Sequence, residues 1–219
     1  NKIADALIRK SREGVQVRLI YDEAGNMMVP RRFYRRLRKH GIQVRGFIRI
    51  FLPILSRDYN SRNHRKVVVI DGRVGYMGGM NIAQRYAEGL KWGIWRDTHM
   101  RITGPAVSEL QTSFLTDWKF TKGDEPDLAP MYPYNPPCGN TLMQIVTGGP
   151  MDKWNVMMQA YMTAIASARH HAYLQSPYFI PPEPIMKTLQ NAALSGVDVR
   201  VMIPYRGDKG VLPPWASRS

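Results

Sequence analysis

Asn63-His64-Arg65-Lys66-Val67-Val68-Val69-Ile70-Asp71-Gly72 is the stretch of this 219-residue chain on which the reading of the rest depends. Gly78-Gly79-Met80-Asn81 follows it closely. Val67 to Ile70 are β-branched or apolar and stop at Asp-Gly, which predicts a buried strand ending in a tight turn. Side chains two apart on a strand share a face, so His64 and Lys66 are expected to project together from its leading end. Arg73 to Met77 are expected to return as a hairpin partner. Gly78 and Gly79 then allow the backbone to approach an anion. Asn81 is expected to open a helix over 82–88, whose N-terminus favours negative charge.

The pattern is His-x-Lys-x4-Asp followed by Gly-Gly-x-Asn. Taken singly, His64 reads as a polar strand end, Lys66 as a solvated charge, Asp71 as a turn residue and Asn81 as a helix cap. Taken together they supply a nucleophile, a fixed cation and a glycine-rich turn, the parts needed to attack a phosphate diester. Chance produces the three motif letters in roughly a few per cent of chains this long, and Gly79 and Asn81 at set offsets cut that about 400-fold.

These residues carry the HKD signature, and on them the chain resembles the phospholipase D superfamily. The run from Tyr59 to Ile82 is similar to bacterial cardiolipin synthases in particular. So are Trp95-Arg96-Asp97-Thr98-His99, Gly104-Pro105-Ala106-Val107, Asp117-Trp118 and Gln175-Ser176-Pro177-Tyr178-Phe179. The resemblance implies a phospholipase D-like α/β fold of two related repeats, with mixed sheets flanked by helices. It implies a phosphatidyltransferase forming cardiolipin from phosphatidylglycerol through a phosphatidyl-histidine, at a bacterial inner membrane, with no cofactor or metal. Its catalytic set would be His64, Lys66, Asp71 and Asp97, with Gly79 and Asn81 binding phosphate.

An attacking imidazole must be neutral at one nitrogen and held by a hydrogen bond at the other. Asp71 lies across the strand's length from His64 and is poorly placed for that. Asp97 is the better partner, and the resembled family has an acidic residue in the corresponding place. Lys66, Asn81 and N–H groups near Gly79 would stabilise charge on the phosphoryl oxygens.

A second feature is an ungapped internal repeat. Ile3, Leu7, Gly14, Val15, Val17 and Arg18 recur 182 positions later as Ile185, Leu189, Gly196, Val197, Val199 and Arg200. Each copy predicts a helix, a glycine stop and an apolar strand, over 15–21 and 197–203. A strand over 172–179 precedes the second copy; its counterpart would lie before Asn1, so the first strand of repeat one is expected to be missing. A second HKD would fall near position 246. Of His40, His64, His99, His170 and His171, only His64 has Lys two residues on. The chain is therefore expected to be cut at both ends and, by itself, inactive. Its missing partner would be the second HKD half.

Residues 1–122 are expected to form the first repeat, the proline-rich stretch 123–140 a linker, and 141–219 the beginning of the second repeat. That second part is expected to open with a strand over 142–147. A long helix should follow, burying Trp154, Met157, Met158, Tyr161 and Ile165. His170-His171 reads as a helix C-terminal pair, and the lone Cys138 excludes an intrachain disulfide.

The net charge is +14, with 22% charged and 44% hydrophobic residues. This excludes disorder and implies an anionic partner. No acidic residue occurs between Glu23 and Asp58, while Arg31, Arg32, Arg35, Arg36, Arg38, Lys39, Arg45 and Arg49 accumulate. A solvated helix face and contact with an anionic bilayer both fit this run, and the apolar stretch 47–55 beside it fits a bilayer or a core strand. The residues leave three functions open: the phosphatidyltransferase, a phosphodiesterase or nuclease of the same superfamily, and a lipid-binding segment without turnover.

Overall fold

In a computed structural model, residues 2–47, 63–90, 93–149, 154–177 and 179–204 are described. They divide into two units, Asn1–Ile145 and Val146–Ser219. The apolar run over 48–55 lies outside the described residues.

The first unit begins with α1 (Lys2–Arg12), β1 (Arg18–Asp22), α2 (Arg31–Lys39) and β2 (Gln43–Phe47). β1 and β2 pair in parallel, so a crossover must join them, and α2 supplies it. Helix and strand bury Ala4, Ile8, Tyr34, Leu37, Ile42 and Val44 as one cluster. β3 (Val67–Ile70), β4 (Val74–Gly78) and β5 (His99–Thr103) form an antiparallel sheet, and α3 (Arg85–Glu88) lies between the last two strands. α4 (Ala106–Phe120) covers one face of that sheet through Val107 and Leu110, against Ile102, Val67, Val69 and Met77. Gly75 makes this approach possible, since a Cβ there would lie 2.6 Å from Leu110 Cδ1.

Asp71 and Gly72 turn the β3–β4 hairpin with φ of 54° and 62°, conformations that Asp and Gly tolerate. The proline-rich stretch 123–140 packs back on this unit. Asn135 Nδ2 donates to the Gly72 carbonyl at 2.7 Å, and Trp118 Nε1 donates to the Asp124 carbonyl at 3.2 Å.

The second unit contains α5 (Val156–Ala166), β6 (His171–Gln175), α6 (Glu183–Leu194) and β7 (Asp198–Met202). β6 and β7 again pair in parallel across a helix. Ile165, Ile185, Leu189, Ala192 and Val197 form its core.

The 182-residue repeat is visible as backbone geometry. Gly14 and Gly196 close α1 and α6 with φ of 90° and 88°. Val15 N–H donates to the Lys10 carbonyl and Val197 N–H to the Ala192 carbonyl, both at 3.1 Å, the six-to-one bond of a Schellman cap. The two bonds are related by the same 182 positions.

Several expected elements differ. β1 spans Arg18–Asp22 rather than starting at Val15. β3 is buried on one face only, with Val68 and Ile70 at 47% and 48% exposure, because α4 covers a single side. No strand forms over 142–147: among the described residues no strand pairs with it to take its backbone hydrogen bonds, and Leu142 is 99% exposed. The stripe on α5 is narrower than expected. Met158, Met162 and Ile165 face the core, Tyr161 and Met157 are exposed, and Trp154 precedes the helix. β6 stops at Gln175, two residues before Pro177, which has no N–H to continue a ladder. α5 ends at Ala166, so His170 and His171 do not cap it; His171 opens β6.

No Cβ at Gly14 or Gly196 would touch a neighbouring atom, so an alanine there is opposed by backbone strain alone. Gly14→Ala and Gly196→Ala are each expected to cost about 1–2 kcal/mol in urea denaturation. Equal stability of variant and parent would refute the left-handed assignment.

Candidate active site

The segment 63–66 is extended and leads straight into β3. Two carboxylates from distant elements fix it. Asp22, at the end of β1, accepts the Asn63 N–H at 3.1 Å. Asp117, on the buried face of α4, accepts the Asn63 side-chain amide at 2.7 Å and pairs with the Arg65 guanidinium. Asp117 is only 8% exposed. A carboxylate that buried is stable only with donors around it. Asn63 and Arg65 flank His64, so the chain is held on both sides of it, at Asn63 through backbone and side chain and at Arg65 through the guanidinium. Ile20, Asp22, Asn63, Arg65, Val67 and Asp117 line a shallow recess at this point.

His64 itself is exposed. Its carbonyl accepts from Lys66 Nζ at 2.5 Å, and its imidazole makes no hydrogen bond among the described residues. Val67 pairs with Met77, Val68 with Tyr76, and Gly78 with His99. Alternation continued past the ladder's ends puts His64 and Lys66 on the face of Val68 and Ile70. Across β4 it puts Asp97 and His99 on that same face.

Asp97 and Gly79 are brought together. The Asp97 carboxylate lies against the Gly79 Cα, where a Cβ would fall 2.2 Å from Oδ1. Asp97 Oδ1 also accepts the Thr98 N–H at 2.7 Å. The Gly79 N–H donates to the Thr98 carbonyl at 3.0 Å. That donor, expected to face phosphate, is therefore engaged in sheet pairing, and the glycine's contribution is room for Asp97.

Asp71 stands in the turn at the far end of β3, away from His64. Asn81 does not open a helix. α3 is a single turn starting at Arg85, and Asn81 Nδ2 donates to the Tyr86 hydroxyl at 3.0 Å. Ile82 is 61% exposed, so a longer helix would have no apolar face to bury. Arg85 instead stacks over Tyr86 and Trp95, 5.3 and 5.0 Å from the ring centroids. His99 holds Nδ1 buried beside Gly78, without a hydrogen-bond partner among the described residues. Among the described residues no three His, Cys, Asp or Glu side chains converge as metal ligands would.

Reasoning from the sequence missed the clamping roles of Asp22 and Asp117. Each carried a signal. Asp117 is a charge on the apolar stripe Val107, Leu110, Phe114 and Trp118, and a charge there must have a buried partner. Asp22 ends an apolar strand three residues before Gly25, a turn position.

The family model described as "Cardiolipin synthase, PLD-like domain" matches residues 1–118 and 161–219. The chain is 44% identical to a cardiolipin synthase of Geobacillus kaustophilus, over 97% of this chain and 43% of that protein. It is 42% identical to the major cardiolipin synthase ClsA of Bacillus subtilis, over 100% and 46%. For a cardiolipin synthase of Listeria monocytogenes the values are 43% identity over 95% and 44%. The chain thus spans less than half the length of these relatives. Among solved structures, a polyphosphate kinase from Porphyromonas gingivalis aligns with a TM-score of 0.51 at 13% identity, over 96% of this chain and 33% of that one. This last likeness is one of fold.

Asp117→Ala removes the acceptor of the buried Asn63 amide and is expected to cost about 1–3 kcal/mol in urea denaturation, with Asp117→Asn costing less because one oxygen remains. Unchanged stability of Asp117→Ala would show that the pairing contributes nothing.

Proposed function

The chain belongs to the cardiolipin synthase family of phospholipase D-like domains, and from that premise we propose that it carries one half of a phosphatidyltransferase site. The observation that supports this best is His64: an exposed imidazole beside Lys66, between Asn63 and Arg65, which two carboxylates hold.

In the proposed reaction the neutral His64 ring attacks the phosphorus of phosphatidylglycerol. A phosphorus–nitrogen bond forms and the bond to the glycerol oxygen breaks. The departing alkoxide takes a proton from a histidine of a second HKD half, since no other histidine here stands two residues before a lysine. A hydroxyl of a second phosphatidylglycerol then attacks phosphorus. It gives up its proton to that histidine and frees His64, yielding cardiolipin. Lys66 offers positive charge to the phosphoryl oxygens in both steps. Asp97 holds the His64 ring in the productive tautomer once substrate closes the site, directly or through one water. Asn81 would serve as a further phosphate donor; Asp71 would serve the motif by fixing the hairpin turn.

The preferred partners are an anionic phospholipid and a bacterial inner-membrane surface. No helix among the described residues is long and apolar enough to cross a membrane, so contact would be made at the surface by the parts described.

In the whole protein, His64→Ala is expected to lower phosphatidylglycerol turnover on the order of 10⁴-fold or more. Asp97→Asn should lower it roughly 10²–10⁴-fold with little change in stability. Gly79→Ala should act through Asp97, because its Cβ displaces that carboxylate. The 219-residue chain alone should run at least about 10²-fold slower than the whole protein, for want of the leaving-group acid. Radiolabelled donor should leave an acid-labile, base-stable phosphoryl group on His64. Near-normal activity of His64→Ala would end the nucleophile assignment.

A further inference from the structure

We propose that the Asn26–Val29 turn and the solvent face of α2 form the surface on which this domain rests on an anionic bilayer. The inference deepens the phosphatidyl-transfer reading and rests on it for its purpose, delivery of a lipid headgroup to His64.

The turn is closed by the Val29 N–H donating to the Asn26 carbonyl at 2.9 Å. Its two central residues are Met27 and Met28, 74% and 96% exposed. Central turn positions ordinarily hold Gly, Pro, Asn or Asp. Single exposed apolar residues need no explanation, but here two long ones stand together at a tip. Asp22 makes that tip rigid: it accepts the Gly25 N–H through Oδ1 at 2.5 Å and the Asn26 side-chain amide through its carbonyl at 2.8 Å.

The helix that follows carries the charge. Arg31, Arg32, Arg35 and Lys39 are exposed on the side of α2 opposite the buried Tyr34 and Leu37. None of the four meets an acidic side chain among the described residues. Arg36 and Arg38 are engaged elsewhere, by Asp5 at 2.5 Å and by the Val44 carbonyl at 3.1 Å. Four free cations beside two exposed methionines suit one partner above others. A bilayer takes thioether side chains into its interface and cations onto its phosphates at the same time. A nucleic acid backbone would use the cations and leave Met27 and Met28 in water.

The surface is also wired to the catalytic segment. Asp22 holds Asn26 on one side and the Asn63 N–H, one residue before His64, on the other. Asp22 thus joins the base of the turn to the 63–66 segment.

The test is flotation of the 219-residue chain with vesicles of phosphatidylglycerol and phosphatidylcholine (1:1), against vesicles of phosphatidylcholine alone. Strong binding to the first and weak binding to the second is expected. Removing cations by Arg31→Gln/Arg32→Gln/Arg35→Gln should weaken binding on the order of 10²-fold, about fivefold for each cation at the surface. The charge-matched change Arg12→Gln/Lys119→Gln/Lys122→Gln should weaken it far less. Met27→Ser/Met28→Ser should weaken it about tenfold or more without changing the charge.

A polarity-sensitive dye attached at Met28→Cys, in a Cys138→Ser background, should shift to the blue on the anionic vesicles. Millimolar inorganic phosphate should not displace the chain; displacement would mean a free-phosphate site and overturn the proposal. Vesicle binding that ignores the methionines would overturn it, and tighter capture by a single-stranded oligonucleotide, lost only with the arginines, would overturn it in favour of nucleic acid. His64→Ala should float as the parent does. The docking surface and the catalytic assignment can therefore fail separately: the first in flotation, the second in turnover.

Discussion

A nucleophile must be free to react, yet its backbone cannot be free to wander. In its proposed role His64 meets the first condition by standing exposed, and the half-buried pairing of Asn63 and Arg65 with Asp117 meets the second. Asp117 costs free energy to bury on α4, and it is stable there because the Asn63 amide and the Arg65 guanidinium come to it. Asp22 adds a bond to the Asn63 backbone from another strand. Two elements far apart in sequence, β1 and α4, therefore converge on one four-residue segment. Each depends on the core beneath it: α4 on Val107 and Leu110, β1 on the cluster around Leu37 and Ile42. Precision at the site is in this sense a property of the whole first unit, since a displacement of about 1 Å in a reacting group can cost 10²-fold in rate.

The sheet built of β3, β4 and β5 has two faces with different duties. Val67, Val69, Met77 and Ile102 pack under α4. The other face holds Val68 and Ile70 half-exposed and carries His64 and Lys66 at its edge. Period-two alternation makes that division unavoidable, because a register slip of one residue would bury the lysine and expose the valines. The Asp-Gly turn with positive φ at both residues pins the register. Asp71 thus bears on the chemistry through register, from the opposite end of the strand.

Much of this was legible in the letters. β-branched residues bounded by Asp-Gly announced β3 and its hairpin, and the 182-residue spacing announced two helix–glycine–strand units with matching caps. What stayed hidden was hidden for physical reasons. Leu142 to Thr147 look like a strand, but a strand exists only with a partner, and pairing is not written in the segment itself. Asn81 looks like a helix cap, but helix length is set by what the helix can bury, and Ile82 has nothing beneath it. Val68 and Ile70 look like core, but which face is covered depends on α4, some forty residues on. The motif names His64 and Lys66, yet the partners that hold their segment lie 41 and 54 positions away from Asn63 at Asp22 and Asp117. Only a charge on an otherwise apolar helix face hints at the second of them.

Lys66 shows how the resting arrangement bears on the chemistry. Its ammonium donates to the His64 carbonyl rather than to a carboxylate. A salt bridge would have neutralised the cation and obliged an incoming phosphate to compete with a fixed anion. A carbonyl leaves the full charge in place, and an ammonium has three donors, so a phosphoryl oxygen can be engaged while the carbonyl bond persists. The same bond ties the lysine tip to the backbone of His64. Asp97 follows the complementary rule on the next strand edge. It sits where only a glycine leaves it room, on the face that alternation gives to His64, and its charge is not cancelled by a basic side chain in the hydrogen bonds it makes at Thr98. In the proposed reaction a cation kept uncancelled for phosphate and a carboxylate kept available for an imidazole are the two electrostatic conditions for attack on a phosphodiester, and the pairing of β3, β4 and β5 puts both residues on one face of the sheet.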